Sequence, residues 1–196
     1  MAGHGGYPKK RFNRLWPKPE SQCALPDFSL EVWGAVGFWT AQGPMVCGGN
    51  GGGSNCFLYK KNQWIPWNIM QTARFLASAL QIDPDHTLII GGYDGNGNEL
   101  KSTQVISSIG SEKGKDFPVS IESHCSFKIN RTYGLVTGGV QDRLRSGSTW
   151  FVDLTTTTLK PGPSMNISRN SHGCSTLPLE PRPLESWQEE GQIPLR

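Results

Sequence analysis

A pair of adjacent glycines recurs through this chain at positions 5/6, 48/49, 91/92 and 138/139, the first members standing 43, 43 and 47 residues apart. A period of 40–50 residues marks a repeat architecture, which restricts the fold more than any single motif does. The last three pairs each close a short apolar run: Pro44-Met45-Val46-Cys47, Thr87-Leu88-Ile89-Ile90 and Tyr133-Gly134-Leu135-Val136-Thr137. Such runs, ended by glycine, read as short strands. With 24 Gly and 14 Pro among 196 residues the chain must turn often, so long helices are not expected.

Other landmarks keep the same phase. Met70 and Arg74 stand four apart, as do Met165 and Arg169. Three positions on from Arg74, from its counterpart Ile121 and from Arg169 stand Ala77, His124 and His172, each in a run of small and apolar residues that reads as the first strand of a repeat. Gln42-Gly43, Asp83-Pro84-Asp85 and Asn130-Arg131 then supply the turns into the strand that ends in Gly-Gly. Polar loops follow at 50–54, 93–101 and 140–147. A third strand comes next, in Cys56-Phe57-Leu58-Tyr59, Thr103-Gln104-Val105-Ile106 and Thr149-Trp150-Phe151-Val152, rich in the β-branched and aromatic residues that suit a pleated surface. A short fourth strand is expected at Trp64-Ile65-Pro66-Trp67, around Phe117-Pro118, and around Lys160-Pro161-Gly162-Pro163.

Four short antiparallel strands per period predict a β-propeller of the WD or kelch type. The chain has no Trp-Asp dipeptide. The order of apolar strand, Gly-Gly, variable loop, aromatic third strand, Trp and then Met-x-x-x-Arg resembles the kelch repeat, most clearly in LIIGGYDGNGNELKSTQVI, QWIPWNIMQTAR and GPSMNISR. The resemblance spans residues 23 to 178 and departs from the family pattern in lacking a fourth-strand Trp after Gly91 and an Arg at Ile121. It implies an all-β, kelch-type propeller in which Gly48, Gly49, Gly91, Gly92, Gly138 and Gly139 are structural. Their physical role is close backbone approach where a Cβ would collide. Trp64, Trp67, Trp150 and Phe151 are expected to fill the wedges between blades and to provide most of the core stabilisation.

The repeats divide the chain into blades at 27–70, 71–120 and 121–165. Residues 1–26 form a remnant of an earlier blade with a basic segment, 166–178 the first strand of a further blade, and 179–196 a polar, Pro-rich tail. About three blades make an incomplete ring, since propellers close with 4–8. The expectation is a piece of a larger propeller. Pairing of the two remnants into a composite fourth blade is the alternative, and completion by another copy a third.

Charge and motif content bound the function. Lys9, Lys10, Arg11, Arg14 and Lys18 all precede the first acidic residue, leaving 14 basic against 16 acidic residues in the rest of the chain. The excess is a terminal segment and not the basic face of a nucleic-acid-binding body. No apolar stretch reaches the roughly 18–20 residues of a membrane span. The nucleotide-binding, serine-hydrolase and zinc-protease motifs are absent, and no Cys/His cluster stands at zinc spacing. His124 and His172 occupy equivalent positions lining a central channel. A copper enzyme of the galactose oxidase kind would use such residues, but two histidines make an incomplete ligand set. No cofactor is expected, and the chain is read as a noncatalytic binding module with a protein partner. An intracellular kelch adaptor for ubiquitin ligases or actin is the second reading, and a degenerate oxidase the third.

Cys47 and Cys56 face each other across an expected hairpin, as a disulfide or as two buried thiols, while the pairing of Cys23, Cys125 and Cys174 is open. Asn130 and Asn166 begin glycosylation sequons at expected turns. Together with the cysteine pair they favour an extracellular parent protein over a cytoplasmic one, although no signal peptide is present. Strand parity places the loops between strands two and three on the same edge as the connections between repeats. Asp94, Asn96, Asp142, Arg143 and Arg145 on that edge are the candidate binding residues.

Overall fold

A computed structural model describes residue 26 and residues 28–175. The basic segment, Cys23, the Gly5-Gly6 pair and the C-terminal tail lie outside the described residues. Within them the chain is all-β, in antiparallel sheets of which none is closed. Among the described residues no helix is long and apolar enough to cross a membrane.

Three four-stranded sheets follow one another along the chain. The first is β1 (Val36–Thr40), β2 (Gly43–Cys47), β3 (Asn55–Lys60) and β4 (Gln63–Ile69), in that spatial order. The second is β5 (Ser78–Gln81), β6 (Thr87–Ile90), β7 (Thr103–Ser107) and β8 (Gly110–Lys113). The third takes β9 (Cys125–Lys128), β10 (Tyr133–Thr137), β13 (Thr149–Asp153) and β14 (Leu159–Pro161), while β11 (Val140–Gln141) and β12 (Leu144–Arg145) form a separate hairpin between its second and third strands. Short polar side chains make the turns. The Asp83 carboxylate accepts the Asp85 and His86 N–H groups, both at 2.8 Å, and the Asn130 carbonyl accepts those of Thr132 and Tyr133, also at 2.8 Å. Lys61 and Asn62, at φ 50° and 60°, supply the left-handed pair of a two-residue hairpin between β3 and β4.

Side-chain alternation then builds two interleaved cores. Val36, Met45, Cys47, Cys56 and Leu58 of the first sheet meet Ile89 and Ile106 of the second. From its opposite face the second sheet sends Leu80, Leu88 and Ile90 against Val136 and Val152 of the third. Each sheet thus presents one face to its predecessor and one to its successor, as period-two strands require.

Where the sheets meet, the backbone is stitched. Gly49, Gly92 and Gly139 donate their N–H groups to the carbonyls of Arg74, Ile121 and Arg169, at 2.9, 2.8 and 2.9 Å. A second series links the approaches to the first strand of each sheet (β1, β5 and β9, called the inner strands): Leu76 N–H to Gly34 O at 2.8 Å, Ser123 to Leu76 at 2.9 Å, and Ser171 to Ser123 at 2.7 Å. All four of these residues have left-handed φ, between 49° and 65°. The series therefore continues past the third sheet into the segment 171–175.

Several expectations from sequence are corrected. The fourth strand of the second sheet is Gly110–Lys113 and not the Phe117-Pro118 region. Phe117 is instead tucked into the second core from the coil after β8, edge-on to Trp150 at 5.4 Å. Residues 166–175 of the expected first strand of a further blade carry no strand, and its residues 176–178 lie outside the described residues. The core is chiefly aliphatic: the fully buried hydrophobic side chains include Leu58, Leu80, Ile89, Ile90, Ile106 and Val136, whereas Trp64, Trp67 and Trp150 are half-buried. Phe151 is 36% exposed, since it lies on the face of the third sheet that no described sheet covers.

The Gly-Gly step carries the clearest stability test. Gly92 has φ +94°, and a Cβ there would stand 2.6 Å from the Phe75 carbonyl oxygen. Gly92→Ala is expected to cost about 2–4 kcal/mol in chemical denaturation, combining left-handed strain with a backbone displacement. Gly97→Ala, at φ +80° with open space around it, is expected to cost only about 1 kcal/mol. Equal costs at the two positions would show that close approach contributes nothing.

Candidate functional site

The loops after the Gly-Gly pairs and the connectors between sheets share one edge, joined by isolated bridges between Trp33 and Asn50, Phe75 and Tyr93, and Glu122 and Val140. Trp33, Phe75 and Glu122 hold equivalent places, one residue before the left-handed turn into each inner strand. Phase in the sequence could have singled them out, because they precede Gly34-Ala35, Leu76-Ala77 and Ser123-His124. Trp33 and Phe75, with Tyr93, form an aromatic run missed in the sequence: Trp33 meets Phe75 edge-on at 5.2 Å, and Phe75 stacks on Tyr93 at 5.5 Å. Trp33 remains 48% exposed.

Arg74 anchors this edge from beneath. It is 2% exposed, and its guanidinium donates to the carbonyls of Gly91 and Ser102 at 2.8 and 2.9 Å and to the Ser102 hydroxyl at 3.1 Å. Desolvation lowers its pKa to about 10, so it stays charged at neutral pH. A cavity of about 310 Å³ opens above it between the first two loops, walled by Asn50, Gly51, Phe75, Asp94 and Gly95.

The five candidate binding residues fall into two groups. Asp94 turns its carboxylate onto its own loop, accepting the Asn96 and Asn98 N–H groups at 2.8 and 2.9 Å and the Asn98 amide at 2.9 Å. The Asn98 hydrogen bonds, the side-chain one first, hold its pKa below the usual carboxylate range. Asp94 is thus a loop former, and Asn96 rides exposed on the loop it shapes. Asp142 and Arg143, at φ 50° and 65°, form the turn of the β11–β12 hairpin within the polar stretch 140–147. Glu99 reaches across from the second sheet's loop and accepts both of their N–H groups at 3.1 Å. Arg143 and Arg145 project from this braced hairpin as exposed side chains, and neither makes an ion pair among the described residues.

Behind the hairpin, Glu122 is 5% exposed and one of its carboxylate oxygens has no partner. Burial raises its pKa, with the nearby Glu99 charge adding to the effect. Burial, then Glu122 and Glu99, raises the Tyr93 pKa as well.

The histidines are held one by one. His124 Nε2 lies 2.6 Å from Ser78 Oγ and His172 Nε2 lies 2.9 Å from Thr137 Oγ1, and each Nδ1 is buried without a partner. Burial lowers the His124 pKa to about 3, with His172 nearby contributing. Among the described residues no group of three or more His, Cys, Asp or Glu side chains is arranged to hold a metal ion.

Cys47 and Cys56 stand directly opposite in the β2–β3 ladder, Cα atoms 4.1 Å apart, and are paired as a disulfide. A second disulfide, left open by the sequence, joins Cys125 at the start of β9 to Cys174, Cα atoms 6.0 Å apart. It pins the segment after Ser171 against the third sheet. Asn130 and Asn166 are both exposed. No protein-family model matches the chain, and no curated protein matches it at a significant level.

Two measurements follow from this geometry. Peptide mapping without reduction, on protein made under oxidising conditions, is expected to give Cys47 linked to Cys56 and Cys125 linked to Cys174. Recovery of all four as alkylated thiols would contradict the pairing. The bridges close sequence separations of 9 and 49 residues, so on chain-entropy grounds removing the second should cost more, about 4 against about 2.5 kcal/mol. For pH, the unfolded His124 binds a proton near its ordinary value of 6.5, while the folded side chain resists protonation down to about 3. Its contribution is complete above pH 6.5 and is lost as pH falls toward 3. Urea midpoints should therefore drop across that window, and His124→Asn should flatten the drop.

Proposed function

We propose that the chain is a noncatalytic, protein-binding module of the kelch type, its three sheets being successive blades of an incomplete propeller. The serial arrangement supports this reading: each four-stranded sheet runs in chain order from its inner strand and stacks on the next with the same faces. Gly-Gly follows the second strand in all three. The protein is extracellular, a reading supported by the two disulfides and by sequons at exposed positions. At Asn130 the side-chain carbonyl takes both turn hydrogen bonds, leaving the amide nitrogen toward solvent as a glycan acceptor.

The observation that carries the function is the braced edge of loops. Exposed Arg143 and Arg145 stand on a hairpin fixed by Glu99, beside the aromatic run of Trp33, Phe75 and Tyr93. Arginine and large aromatics on a fixed scaffold are the residue types that dominate protein interfaces. A double variant, Arg143→Ala with Arg145→Ala, is expected to reduce capture of protein partners on the immobilised chain severalfold. Its unfolding free energy should stay within about 0.5 kcal/mol of the parent, as surface changes do. Equal loss from Asp85→Ala or Arg131→Ala on the opposite edge would put the partner there instead.

A further inference from the structure

The opposite edge carries a second cavity, of about 360 Å³, that the loop-face reading does not use. Trp39, Thr40, Gln81, Asp83, Pro84 and Lys128 line it. These residues come from all three sheets, because Trp39, Gln81 and Lys128 occupy the same register position near the ends of the inner strands β1, β5 and β9. Three contacts between sheets fix the rim: Gln81 Nε2 donates to the Trp39 carbonyl at 3.0 Å, Ala41 N–H to the Pro84 carbonyl at 2.8 Å, and Lys128 Nζ to the Ile82 carbonyl at 2.7 Å. The walls are therefore set before any ligand arrives.

Trp39 is the unusual member. Its side chain is 65% exposed, although it belongs to a strand end tied down on both sides. Among the described residues it has no ring partner, unlike Trp33, Trp64 and Trp150. An indole left bare beside fixed polar groups offers a flat apolar face and a hydrogen-bonding surround at once. Asp83 adds a carboxylate whose Oδ1 is taken by two turn N–H groups and the His86 ring, while Oδ2 meets that ring alone at 3.0 Å.

We propose that this cavity is a saccharide-binding site, taking one pyranose ring against the Trp39 indole with its hydroxyls directed to Gln81, Asp83 and Lys128. Ligand chemistry decides among the alternatives. A purely apolar ligand would strip water from Asp83 and Lys128 without replacing their hydrogen bonds. A quaternary ammonium ion calls for an aromatic cage, and Trp39 is the single aromatic residue on this wall. A simple anion would meet the Asp83 carboxylate, which offsets the Lys128 charge in the same cavity, whereas a hydroxyl can use the N–H donors that Lys128 keeps beyond its bond to Ile82. A sugar ring has one face of C–H groups for the indole and a rim of hydroxyls that both donate and accept. The volume lies at the small end of the roughly 300–1,000 Å³ found for ligand sites, which suits a single sugar unit.

Saturation-transfer NMR on the full chain with glucose, galactose, mannose and N-acetylglucosamine tests the assignment. At least one of the four is expected to show transfer concentrated on ring protons of one face. Trp39→Ala should weaken its binding at least tenfold, and Trp39→Phe should restore part of it. Since Trp39 is exposed, both variants should keep the parent's unfolding midpoint. Absence of transfer from all four sugars to the parent protein would overturn the proposal, as would binding that survives Trp39→Ala. Binding of tetramethylammonium in place of sugars would overturn the ligand class. Arg143→Ala with Arg145→Ala should leave saccharide binding unchanged, so failure here and failure of the loop-face reading are told apart.

Discussion

The backbone hydrogen bond from the second glycine of each pair to the connector passing beneath it is the constraint on which the rest of the molecule is built. At that crossing two stretches of main chain come closer than a Cβ allows. A side chain at Gly48, Gly91 or Gly138 would strike the carbonyl of Arg74, Ile121 or Arg169. Because the contact is between backbones, it fixes where the next inner strand begins, and with it the separation of successive sheets. Arg74 shows the coupling most directly. Its carbonyl accepts from Gly49 of the first sheet's loop, while its guanidinium donates to Gly91 and Ser102 of the second. One residue thus bonds both sheets, and the cost of burying its charge is offset by three hydrogen bonds to fixed acceptors.

The same position explains a departure from the repeat pattern. Ile121 replaces the arginine at the next crossing, yet its carbonyl still accepts from Gly92. Its side chain is fully buried in the second core, beside Phe117 and Val136. The stitch needs only the backbone, so the side chain is free to be polar or apolar according to what fills the gap above it. At the third crossing Arg169 is exposed, because no described sheet stands beyond it to supply acceptors.

This distinction between backbone and side-chain constraint sets what could be read from sequence. Strands two and three were legible because Gly-Gly marks where each second strand must stop and the third strands are dense in β-branched and aromatic residues. The first strands of the second and third sheets follow from the same phase, beside Ala77 and His124, whereas that of the first sheet was not singled out. The fourth strand of the second sheet was not legible: Gly-Ser-Glu-Lys has no apolar alternation, and pairing with β7 alone makes it a strand. Phe117 misled for the opposite reason, since its hydrophobicity serves a core contact made from coil. At the loop edge the exposed arginines were visible as charged loop residues, but Glu99 bracing their turn rests on a contact between residues more than 40 positions apart. The Cys125–Cys174 bridge likewise depends on where the chain runs after Ser171, which no spacing rule supplies.

The two series of inter-sheet hydrogen bonds also divide the molecule into edges with different mechanical character. On the loop edge, the chain beyond each stitch is bonded to a connector, Asn50 to Trp33, Tyr93 to Phe75 and Val140 to Glu122, while its further course is shaped by its own side chains, as in the Asp94 turn, or braced from the next loop, as by Glu99. Its shape varies from repeat to repeat: a glycine turn in the first, an Asx-built loop in the second, a hairpin in the third. On the opposite edge the inner-strand ends are bonded sheet to sheet, Gln81 to Trp39 and Lys128 to Ile82, so the surface there is continuous across three repeats. A variable edge suits recognition of a partner with its own irregular surface. A continuous, pre-set edge suits a small ligand, for which little ordering cost can be tolerated because few contacts are available to offset it. Both properties arise from one repeat whose backbone crossing is invariant and whose side chains are not.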